Sequence, residues 1–276
     1  MKLRASSLAA LALAGTASIA SAQSAFQLEG GAFSFVYNDY DFEENGDSFQ
    51  YFGTIGASYG PILTEWLVLF GDEDFNGEDI SNTTTLGVNA LYQFGNVGPG
   101  EASFGGYFRY VDFDLAASPD GDVIGYGFEG RYDTDFVDLL AFYGVNDLDD
   151  DAFFSTSTDV FGIRGDIDIL ENTSGYVSYL FEEFDSPADD SGDIDVIAVG
   201  VDFAASDFIP PVGSVPNNWF VSFEVSFWSQ DDIFPTAEDN WTQYSVGFTI
   251  PFGNGSSAGP TPFEGQRTVL TEFLIF

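Results

Sequence analysis

The 276-residue chain contains no cysteine, no histidine and one methionine. Without cysteine there is no disulfide framework and no thiolate to act as ligand or nucleophile. Without histidine there is no imidazole to serve as a general base or to hold a metal. Basic residues are nearly as scarce: six Lys and Arg stand against 45 Asp and Glu, for a formal net charge of −39. That sign excludes binding to the phosphates of nucleic acid. Long apolar runs are lacking too, and no stretch approaches the roughly 20 residues that a transmembrane helix requires.

What is abundant is aromatic or small. Aromatic residues make up 17% of the chain, with 31 Phe and 31 Gly. The first 22 residues have the three parts of a secretory signal peptide. Lys2 and Arg4 form a charged start, Leu8 to Ala14 an apolar stretch, and Ala20-Ser21-Ala22 a small-residue cleavage site before Gln23. After cleavage only four basic residues would remain.

From Ala25 onward the repeating unit is an alternating segment followed by a turn, the pattern of strands with two unlike faces. Leu86, Val88, Ala90, Tyr92 and Phe94 alternate with Gly87, Asn89 and Gln93; Trp219, Val221, Phe223, Val225 and Phe227 alternate with Ser222, Glu224 and Ser226. Phe161, Ile163, Ile167 and Ile169 alternate with Gly162, Arg164, Asp166 and Asp168. Twelve such segments are expected, at 25–42, 47–60, 64–75, 79–95, 101–116, 121–133, 135–147, 152–170, 173–184, 193–206, 217–230 and 240–252. The segment 64–75 is the least regular, because Leu67-Val68-Leu69-Phe70 is continuously apolar; the first segment changes phase near Gly30-Gly31, as a β-bulge would make it do.

The connections alternate in character. Those at 41–48, 71–79, 117–122, 146–151, 185–193 and 231–240 hold about half of all the carboxylates. Those at 60–64, 95–100, 133–135, 170–174 and 206–217 hold few. Long outer loops alternating with short inner turns are what an outer-membrane barrel requires. A soluble β-sandwich or propeller is the competing fold, but its solvent face would carry Lys, Glu and Thr, whereas the second face here is Gly, Ser, Asn and isolated charges. The expected fold is therefore all-β: a transmembrane, antiparallel, up-and-down β-barrel of about 12 strands over 23–252. Trp66 and Trp219 open strands beside short turns, and Trp228 and Trp241 flank an acidic connection, so aromatic belts are expected at both membrane interfaces.

Ser245-Val246-Gly247-Phe248-Thr249-Ile250-Pro251-Phe252 resembles the closing-strand signal of bacterial outer-membrane proteins, with Ser245, Gly247, Ile250 and Phe252 in the pattern positions. The resemblance implies recognition by the barrel-assembly machinery and location in the outer membrane. Over nearly all of the mature chain the architecture resembles that of porin-like barrels. In that family the signal commonly ends the chain, whereas here 253–276 follows it, and we expect a periplasmic tail. Omptin-like proteases and outer-membrane phospholipases resemble the chain in strand number, but both depend on a catalytic His that it lacks. An enzyme is therefore not expected, and no catalytic residue is assigned.

If the alternation holds, Arg109, Arg131 and Arg164 point into the barrel, as do Glu129, Asp133, Asp138, Asp166, Asp168 and Glu182. Hairpin geometry suggests Arg109 beside Glu129, Arg131 beside Asp138, and Arg164 beside Glu182. Such groups can brace the wall as ion pairs or form a constriction that selects ions. Twelve strands about 4.8 Å apart, tilted near 40°, give a backbone diameter of roughly 24 Å, which side chains can leave open or fill. Asp72-Glu73-Asp74-Phe75-Asn76-Gly77 matches the opening of a calcium loop, with Asp72, Asp74, Asn76 and Asp79 as candidate ligands, but Thr83 stands where the bidentate Glu belongs. No dedicated cofactor is expected, only Ca or Mg held loosely by acidic loops and bridging to lipopolysaccharide. The functional expectation is a channel for small hydrophilic solutes with a preference for cations. The alternative is a closed structural or surface-interaction barrel acting through its acidic loops.

Overall fold

The structure, a computed structural model, describes residues 26–41, 46–75, 78–115, 121–150, 156–170, 173–184, 192–204, 219–231 and 240–252. The expected signal peptide at 1–22, the tail at 253–276 and most of the acidic connections lie outside the described residues. Twelve strands follow one another: β1 (Phe26–Asp41), β2 (Gly46–Tyr59), β3 (Ile62–Phe75), β4 (Glu78–Val97), β5 (Gly100–Leu115), β6 (Gly121–Asp133), β7 (Val137–Asp150), β8 (Thr156–Leu170), β9 (Thr173–Phe184), β10 (Gly192–Ala204), β11 (Phe220–Asp231) and β12 (Asn240–Phe252). Each pairs antiparallel with its sequence neighbours, and β1 pairs with β12 from Gly31 opposite Phe252 to Asp41 opposite Thr242, which closes the ring. Closure gives every strand a partner on both sides, the only way a sheet can sit in hydrocarbon without an unsatisfied edge.

Alternation decides the two faces. Along β1, Phe33, Phe35 and Tyr37 are exposed on the outside, while Ala32, Ser34, Val36, Asn38 and Tyr40 are buried inside. The phase change expected near Gly30 is present: the register shifts between Leu28 and Gly30, and Gly30 takes φ 129°, which only glycine adopts without strain. Before the bulge Leu28 is the outward residue, and after it Phe33 is. The irregular run in β3 resolves the same way: Leu67 and Leu69 face inward and are buried, while the register puts Val68 and Phe70 on the outer face.

Two expectations about the ends change. Residues 78 and 148–150, expected only as connections, continue as paired strand, and 71–75, 79 and 146–147, shared between expected strands and connections, are strand. Backbone pairing needs no apolar side chain, so the wall runs on into water beyond its greasy belt. Trp228 and Trp241 do not form an outer belt either. They lie inside, 2% and 8% exposed, with ring centroids 5.3 Å apart and planes 17° from parallel. Alternation itself dictates this, since Trp228 follows Ser226 on the inward phase and pairs with Trp241 across the ladder. Trp66 is exposed on the outer face as expected. At the opposite end of the wall the outer belt is built of tyrosines instead. The Tyr143 hydroxyl donates to Asp159 at 2.9 Å, that of Tyr126 to Asp147 at 3.4 Å, and that of Tyr179 to Asp195. Each phenol thus has its ring beside apolar neighbours and its hydroxyl on a carboxylate, the placement of an interfacial aromatic.

Candidate functional site

The interior has two unlike regions. One end carries the tight turns at 60–61, 98–99 and 134–136, together with the ends of β1 and β12; the other carries the long acidic connections. In the half toward the long connections, the aromatic and aliphatic inward residues form an apolar cluster, set among buried polar ones such as Asn38, Asn146, Glu182 and Gln243. Tyr40, Tyr107, Phe142, Val160, Leu180, Ile194, Val196, Trp228 and Trp241 contribute from eight strands, and all are buried. They run from the outer ends of β10, β11, β12 and β1 down to the middle of β5 and β7, buried against one another on the inner face. A second cluster, Val36, Phe52, Leu67 and Leu69, fills the β1–β3 side. Inward glycines make room for the large residues: a Cβ on Gly162 would lie 2.3 Å from the Phe142 ring, and one on Gly144 would lie 2.1 Å from the Tyr107 hydroxyl.

Toward the tight-turn end the interior becomes polar and accessible. Gln93, Glu101, Asp133, Asp138 and Asp168, all on the inward phase, are exposed; Glu29, Glu65, Arg131 and Asp166 are half-buried. This acidic mouth leads to two charged groups on opposite parts of the wall.

The first joins β3 to β6. Arg131 forks onto Glu65, donating from Nη1 to Oε1 at 3.1 Å and from Nη2 to Oε2, and its Nε donates to Glu129. Arg109 donates from Nη1 to Asn89 Oδ1 at 2.8 Å, and Asn89 donates in turn to Glu129 Oε2 at 3.3 Å. Glu129, fully buried, is therefore the shared acceptor of the group. The inward direction expected for Arg109, Arg131 and Glu129 holds. The partner expected for Arg131 does not: Asp138 stands opposite Asp133, and Arg131 stands opposite Leu140. The Arg131 side chain reaches Glu65 on β3 in preference to the exposed mouth.

The second group sits on β8–β11. Arg164 forks onto Asp166, with Nε to Oδ2 at 2.8 Å, and lies 4.0 Å from Asp202. Its Cζ is 3.8 Å from the centroid of the Tyr176 ring, a cation–π contact. Tyr176 donates from its hydroxyl to Glu224 Oε2 at 2.8 Å. Its ring lies on Gly200, where a Cβ would be 2.1 Å from Cζ. The pairing of Arg164 with Glu182 is thus corrected. Glu182, fully buried four ladder pairs farther along the wall, accepts from Asn146 Nδ2 at 2.9 Å and from Thr158. Asp166 sits one step from Arg164 on the same face, closer than any residue across the hairpin.

Sequence reasoning passed over Glu65, Asn89, Tyr176, Asp202 and Glu224. Parity alone would have pointed Glu65, Asp202 and Glu224 inward; what it could not give was which of them meet. The closing strand does place its four pattern residues on the β1–β12 seam. Ser245 donates to Asn38 Oδ1 at 2.7 Å inside the barrel, Gly247 lies against Val36, Ile250 pairs with Phe33, and the Phe252 ring is 5.2 Å from that of Phe33 outside. Of the candidate calcium ligands, Asp72 is exposed near the end of β3, Asp74 stands opposite Asp79 in the β3–β4 ladder, and Asn76 lies outside the described residues. Among the described residues no three carboxylates converge as a metal site would require.

No family model matches the chain, and no curated protein sequence matches it. Solved structures do resemble it. The KdgM porin aligns over 80% of this chain and 99% of its own length, at 14% identity and a TM-score of 0.48. OccAB1 of Acinetobacter baumannii aligns over 82% of this chain and 96% of its own, at 8% identity and the same score of 0.48. A BenF-like porin from Pseudomonas fluorescens aligns over 82% and 98%, at 8% identity and a TM-score of 0.43. The molecule's own geometry fixes its architecture: among the described residues, twelve antiparallel strands closed on themselves into a β-barrel with an apolar outer face.

Proposed function

We propose that the protein is an outer-membrane channel for small hydrophilic solutes, with a preference for cations. The observation that carries this reading is the charge on its inner face. Arg109, Arg131 and Arg164 are outnumbered by inward carboxylates, and several of those are fully buried. A barrel that needed only to be closed would be filled more stably by apolar side chains, because ionised groups lose hydration when buried and ion pairing seldom restores all of it. Charge retained on a lumen wall is what solute and ion selection uses. The tight-turn end, with its acidic mouth, faces the periplasm in this reading, and the long acidic connections face outward, where they draw cations toward the pore. An N-terminal signal peptide exports the chain, and Ser245, Gly247, Ile250 and Phe252 present the closing strand to the assembly machinery. Divalent cations held loosely by the outer loops, Asp72 among them, bridge to lipopolysaccharide.

The buried apolar cluster on the inner face favours a second reading, a closed barrel whose work is done by its outer surface. The two differ in one measurement. In planar bilayers with a KCl gradient, the channel reading expects discrete conductance steps and a reversal potential of the sign set by cation flow. Steps with anion preference would overturn the cation preference, and the absence of steps at any voltage would leave the closed barrel.

A further inference from the structure

Within the β8–β11 group two carboxylates are left incomplete. Asp202 and Glu224 are each 3% exposed. They are diagonal neighbours across the β10–β11 ladder, since Asp202 stands opposite Ser222 and Gly200 opposite Glu224. Asp166 takes hydrogen bonds from Nε and Nη2 of the Arg164 guanidinium, whose Nη1 is buried without a partner. Asp202 Oδ2 has the guanidinium only at 4.0 Å and no hydrogen-bond partner. Glu224 has Tyr176 on Oε2, while its Oε1 has no partner. One buried cation therefore serves three carboxylates. Two oxygens remain that would ordinarily be satisfied, because an unpaired buried charge is among the most unfavourable things a fold can hold. The backbone gap at Gly200 is filled by the Tyr176 ring, which holds Glu224 from one side and leaves its other oxygen free.

We infer that Asp202 and Glu224 form a binding station for a monovalent cation, reached from the acidic mouth by way of half-buried Asp166 and Ser222. This rests on the channel reading for its role in permeation, but the binding itself does not. The station supplies two carboxylate oxygens. It lacks a third acidic ligand among the described residues, which suits a singly charged ion passing through rather than a resident divalent metal.

The test uses the full-length folded protein, with its folded state checked by the heat-dependent gel mobility of intact barrels. Asp202→Asn, Glu224→Gln and the double variant keep the side-chain shapes while removing charge. In bilayers under a KCl gradient, the potassium-to-chloride permeability ratio of the double variant is expected to fall about threefold or more, with each single variant between. In detergent, replacing tetramethylammonium chloride by potassium chloride at constant ionic strength is expected to raise the unfolding temperature of the wild type but not of the double variant. If the wild type conducts and the variants match it in both measurements, the station is overturned and the channel reading stands. If the wild type does not conduct, the channel reading fails and the potassium-dependent stability alone decides the station. A pair completed by a shared proton instead would show no potassium effect in the wild type, which also overturns the proposal.

Discussion

The two halves of the lumen solve one packing problem in opposite ways. Toward the long connections the inner face carries a cluster of buried aromatic and aliphatic side chains, with Val160 and Ile194 at 0% exposure. Toward the tight turns the same circumference carries Glu101, Asp133, Asp138 and Asp168 in contact with water. The strands, their spacing and their pairing are continuous from one half to the other. Only the inward residues differ, so a barrel of fixed strand number is closed or open at each level by side-chain volume alone. The Arg131 and Arg164 groups lie between, nearer the acidic mouth, while Glu182 is buried within the apolar half.

The largest change should follow from breaking the closed half. Trp228 stacks on Trp241 and donates from Nε1 to Gln243 at 3.0 Å and to Ser226 at 3.1 Å, so it joins the apolar cluster to the polar seam. Trp228→Ala removes that stack and leaves a cavity, with an expected loss of about 3–5 kcal/mol. If this half limits flow, single-channel conductance should rise several-fold in bilayers. Conductance equal to the wild type would place the limiting step elsewhere.

How far this contrast could be read beforehand depends on what each residue needed to reveal it. Strand number, order and boundaries came from alternation and turn chemistry, which are local. The inward direction of Arg109, Arg131 and Arg164 came from parity, also local. Partner choice is not local. Arg131 reaches Glu65, 66 residues away, because β3 and β6 face each other across a curved wall. Arg164 chose Asp166, two residues away, because Tyr176 lies flat against its other side. The apolar filling was hidden for a further reason. On β9 the inward set reads Ser174, Tyr176, Ser178, Leu180 and Glu182, mixed enough to resemble a wet lining, and only the meeting of eight strands turns such residues into a core.

A smaller effect is expected from the charged group between the halves. Arg131 holds two carboxylates, one of them fully buried. Arg131→Met keeps much of the side-chain length but leaves Glu65 and Glu129 facing each other without their cation, and breaking a buried pair in this way costs about 3–5 kcal/mol at full burial. Arg131 and Glu65 retain side-chain exposures of 18% and 35%, so water offsets part of that, and a loss of about 1–3 kcal/mol in urea unfolding is expected. Adding Glu65→Gln to the variant should recover part of it. If the double variant is less stable than Arg131→Met, Glu65 is held by something other than Arg131.

The smallest effect should come from the open half. Asp133, Asp138 and Asp168 are exposed at the mouth, where water and salt screen them. Neutralising all three to Asn should leave the fold unchanged and shift the reversal potential modestly toward anions at 0.1 M salt, where the screening length is about 10 Å. At 1 M that length falls to about 3 Å, and the shift should vanish. Any selectivity set deeper, where Asp202 and Glu224 are shielded from bulk ions, should persist at the higher salt. A shift from the mouth variant that survives 1 M would mean that its carboxylates are not screened, and the division of the lumen into a wet half and a closed half would have to be redrawn nearer the turns.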